Sequence, residues 1–289
     1  MSTPAVEAPL DLGRPIKGPS ALGDDPRRFV TLTRALAVTD FKLRFFGSAL
    51  GYLWQLMRPL MMFGVLFCVF EVFLKVGGGV RFFPVALLLG IVLYSFFAEA
   101  TSQSVRSLVT RENLVRKVEF PRLAVPLASV LTAVFNLALN LIPVVVFLLA
   151  IGGRPLWTWL LFPLMLGALV FLATGCSMLL SALFVRYRDV EPIWDVITQA
   201  LFYATPIFWP IARAREMAGG WVATLVMCNP FAVIVQQSRH WFIDPSHESA
   251  ATAIGGWPYL LIPGAITLLV FAFGYRTFAK QAPRVAEDL

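Results

Sequence analysis

The sequence predicts an all-α integral membrane protein with six transmembrane helices, and three observations predict it. Of 289 residues, 58% are hydrophobic and only 14% charged, with a mean hydropathy of +0.75. A soluble domain carries about 25% charged residues, and a soluble fold of this length has no interior large enough for so much apolar side chain. Apolar runs near the ~20 residues that a membrane-crossing helix needs recur along the chain. The basic residues behind the net charge of +7 fall in short blocks between those runs. That is the pattern of membrane topology, not of a nucleic-acid-binding stripe with interleaved aromatics.

Residues 1–26 lack the apolar core of a cleavable signal peptide and read as a disordered cytoplasmic tail. In the next stretch Phe29, Leu32, Leu36, Leu43 and Phe46 share one helical stripe. Arg34, Asp40 and Arg44 lie off it, and so do the apolar Val38, Phe41 and Phe45. A buried packing helix and an amphipathic interfacial helix both fit. The basic residues between Arg27 and Arg58 suit an anionic leaflet and favour the interfacial one. Gly47 and Gly51 then allow the turn into the membrane.

Spans are expected at about 54–74, 82–98, 125–151, 157–185, 193–211 and 258–275 within a transmembrane domain over 27–280, with a C-terminal tail over 281–289. The first carries Arg58 near its start and Glu71 near its end. The third, fourth and sixth hold no ionisable Asp, Glu, Lys, Arg or His. The fifth is the weakest, with Asp195 at its start and prolines at its end. After it, Pro206 and Pro210 break any helix. The apolar stretch 221–235 is interrupted by Asn229-Pro230: too broken to cross, too apolar for open water, and so read as a re-entrant outer segment.

The orientation follows from Lys and Arg. One side holds eight up to Arg58, five in 106–122, two in 186–188 and three beyond the sixth span; the other side holds the remaining six of 24. The rule that cytoplasmic loops are basic then puts both termini in the cytoplasm. A seventh crossing at 221–235 would move Arg276, Lys280 and Arg284 outside, against that rule.

Chemistry-bearing motifs are sparse. There is no phosphate-binding G-x-x-x-x-G-K-[ST] loop, H-E-x-x-H, C-x-x-C or G-x-S-x-G. Cys68, Cys176 and Cys228 are not spaced as metal ligands or an obvious disulfide, and His240 and His247 read as surface residues. Glu71, Glu99 and Asp195 lie near expected span ends, which favours a structural role over a proton relay. The loop at Arg186, Arg188, Asp189 and Glu191 could serve a lipid phosphate. It lacks a nucleophile–base pair, and a salt-bridged turn explains it better.

Several stretches together resemble one family, the permease subunits of type-2 ABC exporters of polysaccharides, O-antigens and teichoic-acid-like polymers. They are DFKLRFFGSALGYLWQLMRPL at 40–60, NLVRKVEFPRLAVPLASVL at 113–131, FVRYRDVEPIW at 184–194, and FYATPIFWP followed by NPFAVIVQQSRHWF in the outer segment. The likeness covers about residues 28–280. It implies a homodimer in the bacterial cytoplasmic membrane, with two copies of a separate ATPase subunit on the cytoplasmic face. That subunit would bind ATP and Mg, leaving no cofactor in this chain and no enzymatic role for it. The substrate would be a lipid-linked glycan. A type-2 permease for a drug or lipid is the alternative within transport, and a membrane-embedded glycosyl- or phosphotransferase the alternative outside it.

On that reading Arg111, Glu112, Asn113, Leu114, Val115, Arg116 and Lys117 form a coupling helix for the ATPase, with Thr110 capping it and Pro121 ending the run. Its mixed charges suit a protein partner better than anionic headgroups. Arg44, Arg58, Arg186, Arg188 and Asp189 are candidates for meeting a pyrophosphate or gating at the inner face. Phe63, Phe67, Phe70, Tyr203, Phe208 and Trp209 are candidates for a glycan path. For any single one of these aromatics, lipid contact or an interfacial aromatic belt is the better explanation.

Overall fold

The computed structural model describes residues 25–45, 51–77, 79–112 and 120–282. Apart from Asp25, Pro26, Gln281 and Ala282, the two expected tails lie outside the described residues, as do Phe46, Gly47 and the coupling positions Asn113, Leu114, Val115, Arg116 and Lys117. The described residues are helical and contain no strand.

Helix α1 (Pro26–Phe45) packs along α4 (Ala124–Ala150). Its buried edge runs through Thr33 and Ala37, where Thr132 Oγ1 donates to the Ala37 carbonyl, and Phe41 meets Phe135 edge-on at 5.6 Å. This contact stripe is offset from the expected one: Leu43 is exposed, because the small Thr33 and Ala37 are what let two backbones approach. Arg27, Arg28, Arg34 and Lys42 remain exposed, whereas Arg44 turns inward to an ion pair with Glu99 of the third helix.

Helix α2 (Gly51–Phe67) contains Pro59 and ends in a π-helical turn, Cys68–Phe73. Helix α3 (Phe83–Thr110) is the centre of the bundle, 72% buried along its most apolar stretch, against 6% for the Leu53–Phe73 span. The second span was expected to stop at residue 98. The helix continues to Thr110 because the polar residues that follow are satisfied within it: Thr101 and Ser104 hydroxyls donate to the carbonyls of Phe97 and Ala100. Thr110 ends α3, its hydroxyl donating back to the Arg106 carbonyl, and the body of the expected coupling helix lies outside the described residues.

Helix α4 runs antiparallel to α3, as the Ser104–Pro126 and Glu99–Asn136 hydrogen bonds show. A 3₁₀ turn (Trp157–Leu161) leads into α5 (Phe162–Arg186), and another (Trp257–Leu260) into α11 (Leu261–Gln281). The helices α5 and α11 lie parallel and very close. Phe171 stacks on Phe271 at 4.0 Å, and a Cβ placed on Gly274 would sit 2.2 Å from the Gly175 carbonyl oxygen.

The fifth expected span, 193–211, is corrected to α6 (Val190–Ala204), which rises only about 22 Å against a hydrocarbon core of about 30 Å. Pro206 and Pro210 forbid its continuation. It climbs along α3 by an Arg106–Glu191 ion pair, a Trp194–Thr101 bond of 3.0 Å and a Tyr94–Thr198 bond of 2.8 Å. The non-helical 205–210 then brings Ile207 beside Gly90. Together they follow about 24 Å of α3.

Four short helices close this end: α7 (Ile211–Ala218), α8 (Gly220–Met227), α9 (Pro230–Phe242) and α10 (Ala250–Ile254). The α8–α9 pair is bent by 100°. The bend is set by Asn229, whose side chain accepts from the Phe231 N–H, and by Pro230 in the first turn of α9. By length and composition five described helices can cross a membrane, or six if the bent pair is one span. The opposite end is a cluster of Leu108, Phe120, Leu123, Met178, Val185 and Phe278 onto which α1 lays Phe29 and Leu32. We call it the basic end.

Candidate functional site: a polar cavity beneath the basic end

Between α2 and α3, closed by the last turn of α1 and by α4, lies a cavity of about 660 Å³. Its walls include Arg44, Trp54, Gln55, Arg58, Glu99 and Asn140. Glu99 organises it. Its carboxylate accepts from the Arg44 guanidinium, from Asn136 Nδ2 at 2.6 Å, from Gln103 Nε2 at 2.9 Å and from Gln55 Nε2 at 3.5 Å. A carboxylate on a buried helix is tolerated only when paired and hydrogen-bonded, and Glu99 is both. Because α3 extends to Thr110, Glu99 lies in a helix interior and not near a span end as expected.

Two buried acceptors beside the cavity, Asn136 Oδ1 and Asn140 Oδ1, have no hydrogen-bond partner among the described residues. Arg58 is exposed on the wall and forms no ion pair among the described residues. The site thus offers one guanidinium held by a carboxylate, a second that is free, and amide groups of both polarities. That is a binding chemistry for phosphate and hydroxyl groups. Among the described residues, neither Ser95 nor Ser102 of the cavity lining is hydrogen-bonded to Glu99.

The other sequence candidates are placed as follows. Arg44 and Arg58 come together at this cavity, whereas Arg186, Arg188 and Asp189 sit apart, at the turn between α5 and α6. There Arg186 stacks over Tyr187 at 5.5 Å and Arg188 over Phe184 at 5.0 Å. Arg111 is drawn back onto α1 by an ion pair with Asp40, and Glu112 follows it at the end of α3.

Phe63, Phe67 and Phe70 are half-buried and pack α2 onto its own chain. Phe63 meets Phe147 at 5.7 Å and Phe67 at 5.6 Å, and Phe70 meets Phe208 at 4.5 Å. Phe208 is buried, Trp209 packs between two apolar clusters, and Tyr203 is exposed.

Sequence reasoning missed Gln55, Glu99, Asn136 and Asn140 as a group. The available signal was Asn136 and Asn140, four apart on one face of an otherwise apolar span. It also missed Arg239. This fully buried residue of α9 donates to the carbonyls of Ala86, Pro206 and Ile207, tying the non-helical 205–210 to α3. His247, read as a surface residue, is buried; burial and the nearby Arg239 charge push its pKa down to about 4.

Comparison with known proteins agrees with this architecture. An O-antigen export system permease protein RfbA of Klebsiella pneumoniae is 27% identical over 252 residues, 86% of this chain and 92% of that protein. The RfbA permease of Myxococcus xanthus is 26% identical over 210 residues, 73% of this chain and 79% of its own. The polysialic acid transport protein KpsM of Escherichia coli is 20% identical over 245 residues, 84% of this chain and 92% of its own. The sequence model of the ABC-2 type transporter family matches residues 31–243, from α1 through the bent pair and the whole cavity wall. This multi-pass membrane protein belongs to the ABC-2 type transporter family.

Proposed function

We propose that the chain is the permease subunit of an ATP-driven exporter that carries a lipid-linked polysaccharide, such as an O-antigen, a galactan or a teichoic-acid-like polymer, across the cytoplasmic membrane. The observation that carries this is the extent of the match to permeases named for O-antigen export, 86% of the chain and 92% of the relative. Two copies form the channel. Two copies of a separate ATPase subunit, which binds the ATP and Mg, dock on the basic end, and both termini are cytoplasmic.

Three features support the reading. Among the described residues, the basic end gathers most of the Lys and Arg, as a cytoplasmic face does. The spans Leu53–Phe73 and Trp257–Gln281 are only 6% and 11% buried along their most apolar stretches, leaving apolar surface for lipid and for a second copy. The Arg44–Arg58 cavity has the chemistry for the phosphate-bearing head of a lipid-linked glycan. The loop at Arg186, Arg188 and Asp189 remains a second candidate for contact or gating at the same end. On the glycan path Tyr203 is exposed, Phe63 packs on Phe67 and on Phe147 of α4, and Phe70 packs on Phe208 beside Trp209.

Coupling would run through residues 111–117, since the Arg111–Asp40 pair ties the end of α3 to α1. Reversing Arg116 and Lys117 to Glu leaves the permease in the membrane and uncouples hydrolysis from export; unchanged export would remove that role. The function itself is tested by deleting the gene and locating the glycan. Polymer accumulating inside the cell supports export, whereas loss of synthesis means that the chain is an enzyme.

A further inference from the structure

A second cavity, about 300 Å³, opens at the end opposite α1, between the α2–α3 turn, the start of α7, α9 and the loop after it. At about 30 Å³ per water it has room for a ring-sized group. Arg239, Gln236 and His247 line it at 3%, 4% and 7% exposure, so three polar side chains are buried at its wall. Gln236 Nε2 donates to the Glu248 carbonyl at 2.6 Å, and its own Oε1 has no hydrogen-bond partner among the described residues. His247 Nε2 has none either. With its pKa lowered to about 4 the ring is neutral, so that nitrogen offers one unmet donor or acceptor. Arg239 donates one bond from each of its three nitrogens to backbone carbonyls, which leaves two of its five N–H groups.

The charges at the rim are already matched, Arg81 with Asp244 at 3.1 Å and Glu248 with Arg215 at 2.8 Å. An anion here would meet the Gln236 carbonyl oxygen and the Glu248 carboxylate. A cation would meet Arg239. A hydroxyl donates and accepts at once and suits both. Phe83 and Ile211, both buried, supply an apolar wall for a C–H face.

We propose that this cavity binds a neutral pyranose ring, one sugar unit of the polymer as it leaves the far end of the permease. The proposal rests on the polysaccharide reading above and adds a site and a ligand class to it.

The test uses the full-length chain in lipid nanodiscs and saturation-transfer NMR. The probes are methyl glycosides of mannose, galactose and N-acetylglucosamine, with inorganic phosphate as the charged control. Two variants probe the site. Ala212→Trp fills the cavity from an exposed position on its wall, and Gln236→Leu removes the unpartnered carbonyl. At least one glycoside should bind the parent chain, and both variants should weaken it roughly fivefold or more, the loss expected for a single hydrogen bond. Equal binding by Ala212→Trp, binding of phosphate in place of every glycoside, or no glycoside binding by a chain that still exports polymer in cells would each overturn the proposal. A chain that binds a glycoside here yet exports no polymer would overturn the proposed function and leave the sugar site standing.

Discussion

Arg239 offers a sharp test of how the outer cap is held. The perturbation is Arg239→Leu. In the parent chain Nη1 donates to the Pro206 carbonyl at 2.6 Å, Nη2 to Ile207 at 2.5 Å and Nε to Ala86 at 3.3 Å. The Ala86 oxygen sits within α3 and belongs to that helix's own ladder, so its loss matters least. Pro206 and Ile207 lie in the non-helical segment, where the guanidinium is what caps them. Leaving two buried carbonyls unsatisfied costs about 1–3 kcal/mol each, and the cavity beside Gly90 adds to that. Relief from burying a guanidinium offsets part. The expected net loss is about 3 kcal/mol. For a chain of 289 residues that lowers Tm by roughly 5 °C. Arg239→Lys keeps the charge but not the three-way fork, so it should fall between parent and Leu. The assay is thermal unfolding in lipid nanodiscs, with limited proteolysis at 205–210 as a local readout. An Arg239→Leu chain with unchanged Tm and unchanged cleavage would refute the claim that this side chain holds the broken span in place.

Three further outcomes follow from the same geometry. Gly274→Ala places a methyl 2.2 Å from the Gly175 carbonyl oxygen and should push α11 off α5 at a cost of about 1–3 kcal/mol, whereas Gly264→Ala, with nothing within 4 Å, should be neutral or stabilising; paired thermal melts check this. Glu99→Gln releases Arg44 and should loosen the last turn of α1, seen as faster hydrogen exchange over 38–45, with a stability loss of about 1–3 kcal/mol. His247 titrates near 6.5 when unfolded and at about 4 when folded, so the unfolded chain binds more protons between those values. Stability should therefore fall as pH drops from about 6.5 to 4, by about 3 kcal/mol in all, and His247→Phe should flatten that part of the pH profile.

Which parts of this molecule were legible in the sequence follows from which forces act locally. Lipid demands long apolar helices, so the spans at 125–151 and 157–185 matched the helices within a residue or so. The break at Asn229-Pro230 was legible too, because a cap and a proline act on their own backbone. The end of α3 was not. Glu99 and Arg106 look like the end of a span until their partners are known, and those partners, Arg44, Asn136 and Glu191, lie tens of residues away. The same holds for α1, whose contact face is decided by the small residues Thr33 and Ala37, invisible to a hydrophobic stripe. Arg239 shows the limit most plainly. A single arginine in the stretch QQSRHW reads as a topology signal, yet its role is fixed by two carbonyls that a proline-broken segment leaves orphaned more than thirty residues earlier. Pro206 and Arg239 therefore belong to one device: the proline opens the backbone, and the arginine closes it against α3.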